Sequence, residues 1–440
     1  MSRDAIQHPS CVKGIVASMW QLIIMAAVAT LFGGAAIMFL GTSENPLAPE
    51  LMKLRYQLVG GAALLISLMA GLRMRGQTAG GKRVMGLWIG FAVSMIVSGI
   101  VNREMAAVRD GIWYLFGVPA VCFVFLPSLL GRNAGWITAW ALILGNLPFL
   151  ALSIIREPLG GSLYQGIFAN SNQMGVTCTI TSAGATALLL GAMSTRKSFV
   201  VIAGWSSVMV GLLALLLASS SRTSLITWAV VMVVFGRKAF RYTRALSQAV
   251  AVAVVLIGIG AFTQRDQLVE TYYGIVDTYN SKSDVGGFNG REEIWSQTWE
   301  DRSLFGYGYD YFTSRFELGG HNTTIDLIGR LGLINAGFAI CVCVATLWEA
   351  MCYARINDED SYATLPLLVI ICFWTLGLGE GMFGSLGNAV TMAFLVSTGI
   401  ITSAQVDPLK KSTQSSRWEV TPIPENNRER RMTRRVGGVR

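Results

Sequence analysis

The stretch FVVIAGWSSVMVGLLALLLA, residues 199–218, contains no charged side chain and is long enough to cross the hydrocarbon core of a membrane as one helix. The polar segment SSSRTS follows at 219–224 and leads into a second apolar stretch that ends near residue 235. The basic segment GRKAFRYTR then occupies 236–244. This order predicts two membrane-spanning helices joined by a short polar turn, with the basic residues on the opposite side of the membrane.

Most of the chain repeats this alternation of long apolar and short polar segments. Its 440 residues are 52% hydrophobic and 14% charged, with a mean hydropathy of +0.51, whereas soluble domains contain about 25% charged residues. We therefore predict an all-α, polytopic integral membrane protein, since lipid offers the backbone no hydrogen-bond partner outside its own helix. About twelve spans are predicted, at residues 15–40, 56–72, 84–101, 112–131, 136–154, 173–193, 199–218, 223–235, 246–263, 323–349, 363–379 and 386–404.

Basic residues in the predicted loops indicate how the chain is oriented. When the N-terminus is placed in the cytoplasm, the cytoplasmic segments hold about two thirds of the 35 lysines and arginines. Most of the acidic residues then lie on the outer side. We therefore expect both termini to be cytoplasmic, with a membrane-embedded domain at residues 1–404 and a basic tail at 405–440. The tail is expected to be disordered against the anionic inner leaflet rather than to bind nucleic acid.

One outer loop, residues 264–320, is far longer than the others and is rich in tyrosine, tryptophan and phenylalanine. A loop of this length in a compact membrane protein is usually functional. Aromatic faces suit the apolar faces of sugars, and they equally suit the membrane interface. The composition of the loop leaves both roles open.

The segment SSSRTS places Ser221 and Arg222 at the outer end of the predicted eighth span. Serine or threonine here can cap the helix that follows, and Arg222 then lies beside free backbone N–H groups of its first turn. A helix start and an arginine together form a natural site for phosphate. The alternative is a simple turn whose arginine reaches toward the membrane surface.

The segment GREEIWSQTWED, residues 290–301, has helical spacing of its large side chains. In a helix, Arg291, Trp295 and Trp299 lie on one face, because they are spaced four residues apart. The pattern predicts a helix on the outer membrane surface with an arginine among indole rings. A purely structural surface helix is the alternative.

The stretch LGGHNTTIDLIGRLG, residues 318–332, contains one of the two histidines of the chain. His321 stands before a helix that Asn322 can cap, or Thr323 through a capping box. The positive end of the helix dipole disfavours an imidazolium, and a neutral imidazole can accept a proton as a general base. Arg330 is a charge inside an apolar helix, where charges are costly and usually functional. Alternatively, His321 is an ordinary hydrogen-bonding residue at the interface.

Glu380 is the lone acid of a glycine-rich outer segment, GLGEGMFGSLGN at 377–388. It can orient the histidine or replace it as the base, although a purely structural re-entrant turn is the simpler interpretation. With one outer histidine and no carboxylate pair at ligand spacing, the sequence predicts no metal site and no cofactor.

Four segments, in this order, resemble the O-antigen ligase and O-antigen (Wzy-type) polymerase superfamily, which comprises multi-span glycosyltransferases of bacterial envelopes. They are GIFANSNQMG (166–175), SSSRTSLI (219–226), GREEIWSQTWEDRSLFGYGYDYF (290–312) and HNTTIDLIGRLGLINAGF (321–338). Each segment is a weak signal by itself, and the order and common side of the membrane make the set more specific. The span number and the single large outer loop agree with the resemblance, which implies a GT-C type architecture.

The resemblance implies an undecaprenyl-diphosphate-linked glycan as donor, a site on the periplasmic side of the inner membrane, and an inverting reaction without metal or cofactor. It implies that Arg222 and Arg291 hold the donor diphosphate and that His321 activates the acceptor hydroxyl. Expected partners are the lipid-linked donor, a glycan or lipid A-core acceptor, membrane lipids and other polysaccharide assembly proteins. Six further residues are expected to support the site: Ser221, Asn322, Arg330, Trp295, Asn172 and Glu380.

The exact activity within this class stays open. The ligase pattern has a second glycine three residues after Gly332, where this chain has Asn335. This departure favours a polymerase of a surface polysaccharide or exopolysaccharide over a ligase that transfers the glycan to lipid A-core. A lipid-linked glycan transporter is a distant alternative, because transporters place charges near the midplane and often show repeated halves. A structural or assembly protein is the remaining class.

Overall fold

The computed structural model describes residues 9–40, 48–73, 82–157, 163–263, 273, 291–316, 319–383 and 388–404. Within these ranges the chain is helical, and strand-type pairing is limited to an isolated antiparallel bridge between Leu40 and Phe168. The predicted all-α class is therefore confirmed. The predicted tail at 405–440 and residues 264–272, 274–290 and 317–318 of the predicted loop at 264–320 lie outside the described residues.

Fifteen α-helices form the described part of the chain, and short 3-10 and π-helical segments join several of them. The α-helices are α1 Pro9–Ala36, α2 Ala48–Arg73, α3 Lys82–Val101, α4 Met105–Ile112, α5 Leu126–Leu130, α6 Ala134–Arg156, α7 Ser171–Ser194, α8 Phe199–Ser219, α9 Arg222–Ala239, α10 Thr243–Thr263, α11 Arg291–Glu300, α12 Tyr311–Phe316, α13 Thr323–Ile356, α14 Leu365–Leu376 and α15 Ala389–Ala404.

Eight helical stretches among the described residues are long and apolar enough to cross a membrane, as a polytopic membrane protein requires. Two shorter apolar helices, Ser361–Leu376 and Ala389–Ser403, accompany them. Two of the eight, Met105–Arg156 and Arg222–Ile259, are 52 and 38 residues long, well above the roughly 20 residues that one crossing needs. A 3-10 turn interrupts each of these two stretches, at Gly131–Asn133 and at Phe240–Tyr242.

Helix α7 lies at the centre of the bundle, where it packs against α6, α8, α9 and α14. Its apolar window is 100% buried. The helix is rich in small residues, which let neighbouring membrane helices approach closely. Thr177, Thr179 and Thr181 each donate to the carbonyl oxygen four residues earlier, at 2.9, 2.8 and 2.6 Å. These bonds satisfy hydroxyls that would otherwise be buried without a partner.

Lipid-facing character is visible on the outside of the bundle. Large apolar side chains stand exposed there, among them Leu72, Ile155, Val200 and Val233. A surface of this kind is costly in water and is suited to hydrocarbon.

The two ends of the bundle differ in charge. At one end Tyr362 packs against Gly135 at the start of α6 and against Gly191 near the end of α7. Asp358 pairs there with Lys238 and Arg241. We call this the basic end, because its turns and helix ends also hold the cations Arg132, Arg196, Lys197, Arg237 and Arg355.

The opposite end collects the starts of α7, α9 and α13 and the end of α14. The N–H of Thr323 donates to Gly377 O at 2.8 Å, so α13 begins where α14 ends. Gly175 of α7 packs against Ser221 and Ser224 of the α9 start, since a Cβ on this glycine would lie 2.6 Å from Ser221 Cβ. This end, which we call the site end, contains the candidate functional residues.

The predicted eighth span is too short. Helix α9 continues to Ala239 through Arg237 and Lys238, although the apolar pattern stops at residue 235. The extension is stabilised because the ammonium group of Lys238 pairs with Asp358, beyond the end of α13.

Candidate functional site

A turn at residues 377–383 follows α14, and we call it the glycine turn. The hydroxyl of Thr323, the first residue of α13, fixes this turn. It donates to Glu380 O at 2.8 Å and accepts from the N–H of Met382 at 3.0 Å. Glu380 is therefore held beside the start of α13 by backbone contacts that do not use its carboxylate.

Asn322 is the N-cap of α13. Its side-chain oxygen accepts from the N–H groups of Thr324 and Ile325 at 2.9 and 3.1 Å. Its amide nitrogen donates to Leu378 O at 3.0 Å, so the same side chain also ties the helix to the glycine turn. The alternative capping box based on Thr323 is wrong, because that hydroxyl binds the glycine turn instead.

His321 immediately precedes this cap and has an unusual backbone. Its φ is +46°, in the left-handed region that costs a non-glycine residue free energy, although histidine tolerates it better than most. The strain is offset by the bonds of Asn322 and Thr323 on its C-terminal side. The effect is to direct the imidazole toward the glycine turn rather than along the helix.

The imidazole of His321 faces a carboxylate. Its Nδ1 lies 3.6 Å from Oε2 of Glu380, and both side chains are partly accessible, at 33% and 21%. A carboxylate at this position favours the tautomer with its proton on Nδ1 and leaves Nε2 as the acceptor. At 3.6 Å the two groups are just beyond hydrogen-bond distance, so the carboxylate is near enough to orient the imidazole after a small movement.

Helix α11 contacts the segments on both sides of this pair. Arg291 donates from Nη1 to Gly379 O at 3.4 Å, and Trp295 donates from Nε1 to Gly320 O at 2.8 Å. Gly379 precedes Glu380 and Gly320 precedes His321. The predicted helix is present from Arg291 to Glu300. At its far end Trp299 is 52% exposed, and the exposed guanidinium of Arg302 lies over its ring.

Arg222 is the first residue of α9, and its side chain is exposed. Ser221 stands at the N-cap but makes no cap bond, since its hydroxyl donates to Ser224 Oγ at 2.9 Å. The next residue, Thr223, packs directly on the glycine turn: a Cβ on Gly379 would lie 2.2 Å from Thr223 Oγ1. The helix starts that carry Arg222 and Arg291 thus both contact Gly379.

Asn172 lies in the first turn of α7 at the same end and is half-buried. The cap of this helix is made by its neighbour Asn170, whose side chain accepts from the N–H of Gln173 at 2.9 Å. Helix α7 reaches the site through Gly175, which packs on Ser221. The structure therefore places Asn172 near the site end, one turn from the contact with the α9 start.

Arg330 lies on α13, one turn after Asp326, and its side chain is 29% exposed. Its Nε is 3.2 Å from Oδ1 of Asp326, the partner expected from i, i+4 spacing. Its guanidinium also lies 5.9 and 5.8 Å from the ring centres of Tyr309 and Phe312. Its contacts with Asp326 of α13, with Tyr309 and with Phe312 of α12 therefore help to hold the loop before α12 against α13.

A break in α13 holds the loop that surrounds Arg330. Gly332 has φ +89° and ψ 175°, so the helix ladder is interrupted there. The N–H groups of Tyr307 and Gly308 donate to Gly329 O and Arg330 O at 3.0 and 2.9 Å, which replaces the lost helical bonds. The sequence does not predict this contact, because about 20 residues separate the loop from the break.

The loop is also bound to α4, through its N-cap residue Glu104 and through Asp110. Glu104 accepts from the N–H of Tyr309 at 2.6 Å, and the Tyr309 hydroxyl donates to Oδ2 of Asp110 at 3.0 Å. Burial, together with the Asp110 carboxylate, raises the pKa of Tyr309 well above its usual range. The phenol stays neutral at any physiological pH and acts as a hydrogen-bond donor.

Comparison with known proteins adds no relative to this picture, because no family model and no curated protein matches the chain.

Proposed function

We propose that the chain is a polytopic glycosyltransferase of the bacterial inner membrane, with about twelve spans and a GT-C type architecture. Both termini are cytoplasmic and the site end faces the periplasm. The donor is an undecaprenyl-diphosphate-linked glycan, and the reaction inverts the donor sugar without a metal or cofactor. The observation that carries the proposal is the meeting of the Arg222 and Arg291 helix starts with the His321–Glu380 pair at one glycine turn.

The chemistry follows from the groups that meet there. The acceptor hydroxyl oxygen forms a bond to the anomeric carbon of the donor, on the face opposite the diphosphate, and the bond from that carbon to the diphosphate oxygen breaks. The electron pair leaves with the undecaprenyl diphosphate. One displacement of this kind inverts the anomeric centre.

Two features lower the barrier for this displacement. Nε2 of His321 accepts the proton of the acceptor hydroxyl, while Glu380 holds Nδ1 on the other side of the ring. Arg222 and Arg291 stabilise the charge that develops on the diphosphate, and Arg222 does so beside the positive end of the α9 dipole. The two guanidinium groups thus provide the positive charge that a divalent cation provides in metal-dependent transferases.

Within this class we favour a polymerase that joins repeat units of a surface polysaccharide or exopolysaccharide. The alternative is the O-antigen ligase, which uses the same donor and the same site but lipid A-core as acceptor. A lipid-linked glycan transporter is less well supported, because His321, Glu380, Arg222 and Arg291 all lie at one end of the bundle rather than near its middle.

The proposal is tested by His321→Ala and Arg291→Ala in a strain whose glycans are analysed. Arg302→Ala is the matched control, since it removes another exposed arginine close to α11 that does not contact the glycine turn. We expect cells with His321→Ala or Arg291→Ala to accumulate the lipid-linked unit in the periplasm at normal protein levels. Cells with Arg302→Ala should behave as wild type. Accumulation in the cytoplasm would instead identify a flippase and contradict the proposal.

The acceptor is identified by deletion of the chain. A single capped repeat on lipid A-core indicates a lost polymerase, as we expect. Free lipid-linked polymer in the periplasm indicates a lost ligase and would overturn the choice between the two.

A further inference from the structure

A second site lies at the basic end of the bundle, far along the helices from the glycine turn. A cavity of about 520 Å³ opens there between α1, α2, α5 and α6. Its volume is in the range of roughly 300–1,000 Å³ that is typical of pockets for small molecules and head groups. The proposed glycosyl transfer makes no use of this cavity.

One wall of the cavity is polar and positively charged. Arg132 and Asn133, from the turn between α5 and α6, line it together with Gln21 of α1 and Ser128 of α5. The lining includes no carboxylate, so nothing in the described wall neutralises the guanidinium. An anion is the ligand that such a wall attracts.

The start of α6 adds to this preference. Asn133 occupies its N-cap position but makes no side-chain cap bond, and the first turn contains no acidic residue. The positive end of the α6 dipole therefore lies close to Arg132 and adds to the preference for an anion.

The other wall is apolar and leads to the lipid-facing surface. Ile24 and Leu129 are buried in it, Trp20 is half-buried, and Leu72 is 83% exposed. A soluble phosphate would leave this half unfilled, whereas a lipid fills both halves, with its head group at Arg132 and its acyl chain along Leu72. Tryptophan is also the side chain that membrane proteins place at the level of lipid head groups.

We propose that this cavity binds the phosphodiester head group of an anionic glycerophospholipid from the leaflet at the basic end. The basic loops around it concentrate such lipids near the surface. The bound lipid is a structural ligand that joins α1 and α2 to α6, and it is independent of the donor lipid.

The test uses the full-length protein in a neutral detergent and counts bound lipid by native mass spectrometry. Titration with phosphatidylglycerol, phosphatidylethanolamine and inorganic phosphate separates an anionic lipid site from a general lipid site and from a phosphate site. We expect phosphatidylglycerol to bind best. Arg132→Gln should weaken its binding about fivefold, as loss of one cation near a phosphate implies. Arg196→Gln, which removes an exposed cation of the same end outside the cavity, should leave it unchanged.

Asn133→Asp keeps the proposal testable if Arg132→Gln perturbs folding. Aspartate is at least as good an N-cap as asparagine and suits the helix dipole, so the lipid-free protein should be as stable as wild type. The added carboxylate should nevertheless weaken phosphatidylglycerol binding. The proposal would be overturned if Arg132→Gln and Arg196→Gln weakened phosphatidylglycerol binding equally, or if Asn133→Asp bound this lipid as tightly as wild type. It would also be overturned if phosphate or phosphatidylethanolamine bound as tightly as phosphatidylglycerol.

Discussion

Substitution of Gly379 by alanine tests whether the glycine turn holds the site together. The new Cβ would lie 2.2 Å from Oγ1 of Thr223, with Cγ2 at 2.9 Å and Cβ at 3.0 Å. Rotation of the Thr223 side chain cannot clear the contact completely, because its Cβ stays 3.0 Å away in every rotamer. The backbone of the turn or of the α9 start must therefore move by about 1 Å to reach ordinary contact.

The consequence is a loss of alignment rather than of fold. Displacement of the turn separates Glu380 from the α9 start that carries Arg222, and a misplacement of about 1 Å commonly costs a reaction about 10²-fold in rate. Overpacking costs about 1–3 kcal/mol of stability, which a bundle of this size tolerates. We expect kcat of Gly379→Ala to fall about 10²-fold while the protein remains monodisperse with a modest decrease in Tm.

Two companion variants make the experiment specific. Gly381→Ala is the matched control from the same turn, since its Cβ would meet the Asp326 carboxylate at an ordinary 3.6 Å, and it should keep near wild-type activity. Thr223→Ala combined with Gly379→Ala removes the two closest atoms and should recover much of the lost rate. The assay is polymer formation from purified protein and lipid-linked donor. Normal kcat in Gly379→Ala, or no recovery in the double variant, would refute the reasoning.

Three further predictions concern the base, the helix break and the basic end. His321→Gln should lower kcat about 10²–10⁴-fold, as loss of a general base does. Glu380→Gln should lower kcat less and should change the pH–rate profile. Initial rates across a range of pH measure both effects, and a Glu380→Gln profile equal to that of wild type would count against an orienting role. Gly332→Ala should destabilise the protein strongly, because φ is +89° and the new Cβ would lie 2.3 Å from Leu304 O. Gly337→Ala is the control, since its Cβ meets no atom within 4 Å, and it should be neutral or stabilising. Similar Tm values for the two variants would be inconsistent with the break at Gly332. The bonds from Lys238 and Arg241 lower the pKa of Asp358 to about 2 from 3.8. The stabilisation from these bonds is therefore complete above pH 4 and is lost as the pH falls toward 2. Asp358→Asn should lack this part of the acid-dependent fall in Tm, and a pH dependence of Tm equal to that of wild type would contradict the prediction.

The apolar stretches were visible in the sequence, because a membrane-spanning helix must be apolar for its full length. The separation of basic from other polar segments was visible for a similar reason, since charge in each loop is a local property. Helix ends were less predictable: α9 extends past its apolar pattern because Lys238 finds Asp358, about 120 residues further along the chain.

The candidate residues could be chosen from the sequence, but the contacts that position them could not. Nothing local indicates that Thr223 packs on Gly379 or that Thr323 binds the glycine turn, because helices distant in the sequence form these contacts. The pairing of the 303–308 loop with the break at Gly332 is also non-local. A single glycine in an apolar helix does not by itself indicate a positive φ.

Asn335, which stands where the ligase pattern has a glycine, has a packing role in this structure. Its side chain is buried, and the amide donates to Phe91 O at 3.0 Å and to Ser94 Oγ at 2.8 Å. An asparagine replaces the glycine of the ligase pattern here because it binds α13 to α3. The preference for a polymerase therefore depends on the acceptor experiment more than on this residue.

The most direct measurement follows undecaprenyl diphosphate release by the purified protein, with a synthetic lipid-linked repeat unit as donor and EDTA present. We expect wild type and Arg302→Ala to release one undecaprenyl diphosphate for each inverted linkage, and His321→Gln and Arg291→Ala to release almost none. Release at the wild-type rate by His321→Gln would show that the glycan is not transferred at the His321 and arginine site. A complete block of the wild type by EDTA would contradict the metal-independent reaction.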